Sequence, residues 1–140
     1  ALAVLITLVY LARQIKHSAN TNEAGISCSS LDAYHNWRCL VIDHAEVLAR
    51  FENGETLSDS ESLIVLNIAG DFAFASAANF SSATLYDLGR VKNFVDLMVL
   101  QLESSRVARE TWPGTKLALV TSGFDDFVSE VEAARAAIVS

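Results

Sequence analysis

The chain has 140 residues, 51% of them hydrophobic, and its 17 acidic and 10 basic side chains give a formal net charge of −7. An acidic surface is repelled by nucleic acid and by anionic lipid headgroups, so nucleic acid is not an expected partner. One proline and six glycines leave few helix breaks, and this composition predicts an all-α fold.

Residues 1–12 form a nearly continuous apolar run that includes Tyr10 near its end and is followed by the basic residues Arg13 and Lys16. This order is typical of the exit end of a membrane-spanning helix, with an aromatic residue and cations at the interface. A helix of that length covers about 18 Å, whereas the hydrocarbon core is about 30 Å thick. We therefore expect residues 1–17 to be the C-terminal part and basic flank of a transmembrane helix that begins upstream.

The same run also fits a buried core helix or the apolar part of a signal peptide. A signal peptide, however, places its basic residues before the apolar run, whereas Arg13 and Lys16 follow it. Because cations that flank a span tend to stay inside the cell, Arg13 and Lys16 predict a membrane protein with a cytoplasmic domain. Its residues after Lys16 are expected in the cytoplasm, and its lipid-facing partner is the bilayer.

Residues 18–140 are predicted to form one small helical domain of about four helices. The anchor helix is expected to continue as a polar stalk and, with a bend, to reach Phe51. Asn53 and Gly54 then end it as a C-terminal cap.

The clearest helix start lies at Ser58 and Glu61, which have the spacing of a capping box. The helix that follows is expected to reach about Ser82. It carries a strip of small residues that would let another helix approach closely, and three of them are candidate partner contacts: Gly70, Ala73 and Ala77.

The second half of the chain predicts two further helices. After a break at residues 86–89, an apolar helix covers residues 91–110 and ends at Trp112-Pro113-Gly114. Residues 117–120 have the content of a short strand but are too isolated in the chain to pair with another strand. Ser122 is then expected to cap a last helix.

Residues 7–15, Thr-Leu-Val-Tyr-Leu-Ala-Arg-Gln-Ile, followed by Asn20-Thr21, resemble the opening of a widespread bacterial family of small, uncharacterised single-pass membrane proteins. The turn at Asn53-Gly54, the acidic helix start at residues 58–61 and the Phe124–Phe127 segment resemble later features of that family. Leu119 departs from it, since a tryptophan is expected there. The resemblance implies a bacterial inner-membrane protein with an anchor and a helical domain, and it carries no activity.

Cys28, Asp32, His35 and Cys39 lie near one stripe of a predicted helix, at spacings of four, three and four. Such side chains can ligate zinc, or His35 can activate Cys39 as a nucleophile. Four ligands along one straight helix cannot converge on a tetrahedral ion, so packing at the edge of a buried face explains them as well.

Two acidic clusters also have ordinary explanations. Asp43 and Glu46 flank His44 and could orient it as a general base, but a solvated helix face accounts for all three. Asp125 and Asp126 resemble a paired-carboxylate site, but acids also favour the first turn of a helix.

Trp37 and Trp112 are predicted partner contacts, because Trp37 is expected on the polar side of its helix and Trp112 at a turn, and tryptophan is enriched at the energetic centres of interfaces. The alternative is that both cover the domain's own core.

Taken together, the sequence predicts a non-catalytic accessory or scaffold subunit of a larger membrane complex, with no cofactor and no metal. The second hypothesis is a small membrane-tethered enzyme or metal or thiol sensor that uses His35 and Cys39.

Overall fold

The computed structural model of the chain describes residues 2–87 and 89–139, apart from the side chains of residues 2–9 and 18–30. These residues are helical with short connections and contain no strand, so the predicted all-α class is confirmed. In chain order the helices are α1 (Leu2–Asp43), α2 (Ala45–Glu52), α3 (Asp59–Leu85), α4 (Val91–Ser104), α5 (Arg106–Thr121) and α6 (Asp125–Val139).

Helix α1 has 42 residues, which corresponds to a length of about 63 Å. A single-residue break at His44 separates it from α2, so the predicted helix reaches the Asn53-Gly54 cap in two segments. The predicted cap at Asn53-Gly54 is confirmed. Gly54 has φ +80°, and the Glu55 N–H donates to the Arg50 carbonyl at 2.9 Å, which closes a Schellman motif.

Helix α3 is the central helix and contacts each of the others. Its predicted start is confirmed: the Ser58 N–H donates to Glu61 Oε2 at 2.8 Å, and the Glu61 N–H donates back to Ser58 Oγ at 3.3 Å. Nine of its residues are buried. By length and composition α3 could also cross a membrane, with 44% of its apolar window buried inside the domain.

The core lies between α3, α4, α5 and α6. Leu102, Leu119, Phe127 and Val131 are completely buried there, and the rings of Phe80 and Phe127 pack with their centroids 5.4 Å apart. Apolar burial of this kind is the main favourable contribution to folding.

The predicted helix ends in the second half of the chain were wrong. The break falls at Ser105, and Pro113 lies inside α5. Residues 117–120 are helical, and Ser122 is the C-terminal cap of α5 instead of the N-cap of α6. The physical reason is tertiary: Trp112 and Leu119 are buried on the same helix and hold it together on both sides of the proline.

We expect Ala73→Leu to lower the free energy of unfolding by about 1–3 kcal/mol, because Ala73 is 0% exposed and extra methylenes would overpack the core. The matched control is Gly70→Ala, one turn earlier on α3. A Cβ added at Gly70 meets no atom within 4 Å, so this change should stabilise by about 0.5–1 kcal/mol. Urea unfolding of both variants is the measurement. An unchanged midpoint for Ala73→Leu would contradict the packing described.

Candidate functional site

The N-terminal part of α1 is exposed wherever its side chains are described. Every residue from 10 to 17 is exposed, including Arg13 and Lys16. The apolar side chains of Tyr10, Leu11 and Ile15 are 61%, 49% and 70% exposed. Residues 1–9, which hold most of the predicted span, lie outside the described side chains. A helix that presents large apolar residues in this way is typical of a segment that lipid or another protein covers.

Further along, α1 joins the domain through two aromatic residues. The ring centroids of Tyr34 and Trp37 lie 5.6 Å and 4.7 Å from that of Phe72 on α3. The Tyr34 hydroxyl lies 3.1 Å from Ser76 Oγ. Burial raises the pKa of Tyr34, and hydrogen bonds to Ser76 and Asn79 offset part of that effect.

The two tryptophans therefore both pack within the chain itself. The expectation that Trp37 lies on a polar helix face was wrong, since the residue is half-buried against Phe72. Trp112 does not lie at a turn: it is inside α5, is 4% exposed, and its Nε1–H donates to Glu132 Oε1 at 2.6 Å. Tryptophan is large and its indole N–H needs one hydrogen-bond acceptor, and the buried position beside Glu132 meets both requirements.

The three small residues of α3 that were predicted to contact a partner, Gly70, Ala73 and Ala77, differ in burial. Ala73 and Ala77 are 0% exposed and belong to the domain's own core, so in this structure they face helices of the same chain. Gly70 is only half-buried and has open space beside it. Of the predicted contact residues on α3, Gly70 is thus the one with accessible surface.

Of the predicted metal or thiol cluster, the structure shows a contact between His35 and Cys39. His35 and Cys39 are exposed on one face of α1, with Nε2 and Sγ 3.7 Å apart, and Asp32 is also exposed. Cys28 lies outside the described side chains. Among the residues whose side chains are described, no three His, Cys, Asp or Glu residues are placed to hold a metal ion.

The other acidic clusters occupy ordinary helix positions. Asp43 and Glu46 are exposed on either side of the break at His44. Asp125 and Asp126 are exposed in the first turn of α6, where carboxylates interact favourably with the helix dipole. Solvent exposure and the helix N-terminus therefore account for both clusters.

A cavity of about 220 Å³ lies among α1, α2, α3, α4 and α5. Its wall is mainly apolar and includes both tryptophans, together with Leu48, Phe72 and Met98. Phe72, Met98 and Trp112 are buried, whereas Trp37 and Leu48 are half-buried, so the cavity is most accessible from the side of α1 and α2. Sequence reasoning missed this feature, because residues from five helices form it.

Helix α2 forms one side of the cavity, and its last residue, Glu52, accepts hydrogen bonds from the N-terminus of α5. Glu52 accepts hydrogen bonds from Ser105 Oγ at 2.7 Å and from the Arg106 and Val107 N–H groups at 2.9 and 3.1 Å. Partial burial raises the pKa of Glu52, but these bonds and the charge of Arg109 outweigh it, so the pKa lies below its ordinary value. Because helix N-termini leave N–H groups unpaired, a carboxylate there both pairs and stabilises them.

Arg50 ties the same helix to the start of α3. Its Nη1 donates to Glu61 Oε1 at 2.6 Å, its Nε to Glu55 Oε2 at 3.3 Å, and its Nη2 to the Thr56 carbonyl at 3.2 Å. Hydrogen bonds from Ser58, followed by the contribution of Arg50, lower the pKa of Glu61. Two neighbouring polar residues of α2 therefore reach two different helices.

No family model, curated protein or solved structure matches this chain. The geometry described above is therefore what bears on function.

We expect Glu52→Gln to lower the free energy of unfolding by about 0.5–1 kcal/mol at neutral pH, because the charge that faces the α5 N-terminus is lost while solvent screens an exposed carboxylate. The pKa of Glu52 is depressed below its ordinary value of 4.5. Its contribution is therefore complete above pH 4.5 and is lost as the pH falls through the lower, folded-state pKa.

The measurement is urea unfolding of the native chain and Glu52→Gln from pH 7 down to pH 3. The two curves should converge at the acidic end. Glu130→Gln, an exposed position on α6, is the matched control and should differ little from the native chain at any pH. A Glu52→Gln difference that does not change with pH would contradict this assignment.

Proposed function

We propose that this chain is a non-catalytic accessory or scaffold subunit of a larger membrane complex, anchored by the N-terminal part of α1. The observation that carries the proposal is the exposure of residues 10–17, where Tyr10, Leu11 and Ile15 present apolar surface beside Arg13 and Lys16. An aromatic residue and cations at the end of an apolar run suit the membrane interface. The resemblance of residues 7–15 to single-pass membrane proteins supports the same anchor.

The central helix α3 is the weaker candidate for the anchor, although its length and composition would suffice. Its apolar character has another cause, since its buried residues form the interior of the domain. Inserting α3 in a bilayer would separate it from α4, α5 and α6 and remove that core. A mostly apolar helix is expected wherever several other helices pack around it.

The proposed orientation places the domain in the cytoplasm at the bacterial inner membrane. Arg13 and Lys16 follow the apolar run, and every acidic residue of the chain comes after residue 22. Cations beside a span favour the cytoplasmic side, and an acidic domain is repelled by anionic headgroups. The domain should therefore stand away from the bilayer on its helical stalk.

Contact with other subunits is assigned to one face of α3. Leu63 and Leu66 are 60% and 45% exposed, and Gly70 follows them on the same helical stripe with open space beside it. Two exposed leucines next to a glycine allow an apolar helix of a partner to approach closely. Each polar cluster among the described side chains is explained by a helix terminus, a solvated face or a bridge between helices, which supports a role without catalysis.

The second candidate function, a metal or thiol sensor, rests on the 3.7 Å separation of His35 Nε2 and Cys39 Sγ. Both side chains are exposed, so a partner could supply further ligands. Stoichiometric zinc in the purified complex that disappears in His35→Ala/Cys39→Ala would favour this candidate. The main proposal expects neither zinc nor any effect of that double variant on assembly.

We expect Cys39 to be unreactive toward a membrane-impermeant maleimide in intact spheroplasts and to react after the membrane is permeabilised. The Cys28→Ala chain leaves Cys39 as the single thiol, and because Cys39 is exposed, burial does not explain a lack of reaction. Deleting residues 1–12 should move the chain to the soluble fraction. Labelling of Cys39 before permeabilisation would show that the proposed orientation is wrong.

We expect the full chain, purified in mild detergent, to migrate with a much larger assembly. Leu63→Ser/Leu66→Ser should release it from that assembly, since well-packed interface residues contribute about 1–2 kcal/mol or more each. Leu97→Ser/Leu100→Ser on α4, which also replaces two exposed leucines, is the control and should stay in the assembly. A chain that migrates alone before any substitution would contradict the scaffold proposal.

A further inference from the structure

We propose that the cavity among α1, α2, α3, α4 and α5 is a binding site for a small neutral molecule that has one ring and one hydrogen-bond acceptor. This inference does not depend on the anchor or on the membrane complex. It rests on the volume of the cavity, on the chemistry of its wall, and on the buried, unpaired Nε1 of Trp37, a residue of that wall.

The volume suits a single ring with a short substituent. An apolar protein cavity of about 150 Å³ is sufficient to bind benzene, and the present cavity measures about 220 Å³. Trp37, Phe72 and Trp112 supply aromatic surface, and Met98 supplies an adaptable thioether beside them. Rings pack well against aromatic side chains and methionine, whereas a flexible polar molecule would lose its hydration on entering.

The ligand is expected to have a hydrogen-bond acceptor because of Trp37, which lines the cavity. Its Nε1 atom is buried and has no hydrogen-bond partner. By contrast, the Nε1–H of Trp112, which lines the same cavity, is satisfied by Glu132. An unpaired buried N–H carries a free-energy penalty, and a small shift of the Trp37 ring toward a carbonyl or ether oxygen in the cavity would remove it.

The ligand should be neutral because the carboxylate in the wall already has its partners. Glu52 lines the cavity, but its oxygens accept the three hydrogen bonds from residues 105–107 at the start of α5. A cationic ligand would have to compete with them. An anionic ligand would be repelled by Glu52 itself.

Entry is expected beneath α2. This helix contributes Leu48 and Glu52 to the wall, and none of its residues is buried. Polar bonds from Arg50 and Glu52 hold α2 in place, and such a contact can open at little cost in apolar burial.

The test uses acetophenone, which has a ring and a carbonyl, and ethylbenzene, which has nearly the same shape without an acceptor. Each is titrated into the full chain at one fixed, low concentration of mild detergent, and the two indole N–H signals are followed by ¹H–¹⁵N NMR. The chain has two tryptophans, so Trp37→Phe assigns both signals. Acetophenone should move the Trp37 signal downfield with saturation, and it should bind about three- to tenfold more tightly than ethylbenzene.

Two matched variants locate the site. Ala69→Leu fills the cavity from its wall and should abolish the saturable shift. Ala78→Leu makes the same change at an exposed position of α3 and should preserve it. The proposal is overturned if acetophenone produces no saturable shift, if Ala69→Leu binds it like the native chain, or if both probes bind equally. The comparison of the two probes needs no variant and holds even if Ala69→Leu does not fold.

Discussion

The burial of α3 is the constraint on which the rest of the domain depends. Five helices contact it, and its buried residues extend from Val65 near one end to Ala83 near the other. A helix surrounded in this way must be apolar around most of its circumference, with small residues where neighbours come close. Those are also the properties of a transmembrane segment. The length and composition of α3 therefore follow from its position in the core, and they are not independent support for a membrane span.

Helix α2 is held by a different kind of interaction. None of its residues is buried, and its place is fixed by Arg50 at the start of α3 and by Glu52 at the start of α5. Both side chains act on helix N-termini: Glu52 pairs N–H groups that a helix always leaves unsatisfied, and Arg50 binds the capping-box glutamate. Polar bonds of this kind fix geometry and contribute little net free energy. The domain thus combines a rigid apolar centre with one helix whose attachment depends on charge.

The features that the sequence predicts correctly are local. The capping box at Ser58 and Glu61 and the cap at Asn53-Gly54 depend on hydrogen bonds between residues at most five positions apart. The features that it mispredicts depend on distant residues. Glu52 binds Ser105 and helps to start α5 there, although 53 positions separate them, and the burial of Trp112 keeps the helix intact through Pro113. The cavity could not be predicted from the sequence either, because residues from five different helices form its wall.

Trp37 carries one of the two buried side-chain atoms without a hydrogen-bond partner among the described residues, and the other is Asn79 Nδ2. The Trp37 ring packs on Phe72 with the centroids 4.7 Å apart, but its Nε1 is buried without a partner. The indole N–H therefore costs free energy with no return in the packed domain. Proteins tolerate such departures from consistent packing mainly where a site needs them. Trp112 shows the contrast: it lines the same cavity, its N–H is satisfied by Glu132, and core packing accounts for it fully. A ligand with an acceptor in the cavity would, after a small shift of the ring, give the Trp37 N–H the partner that the described residues do not supply.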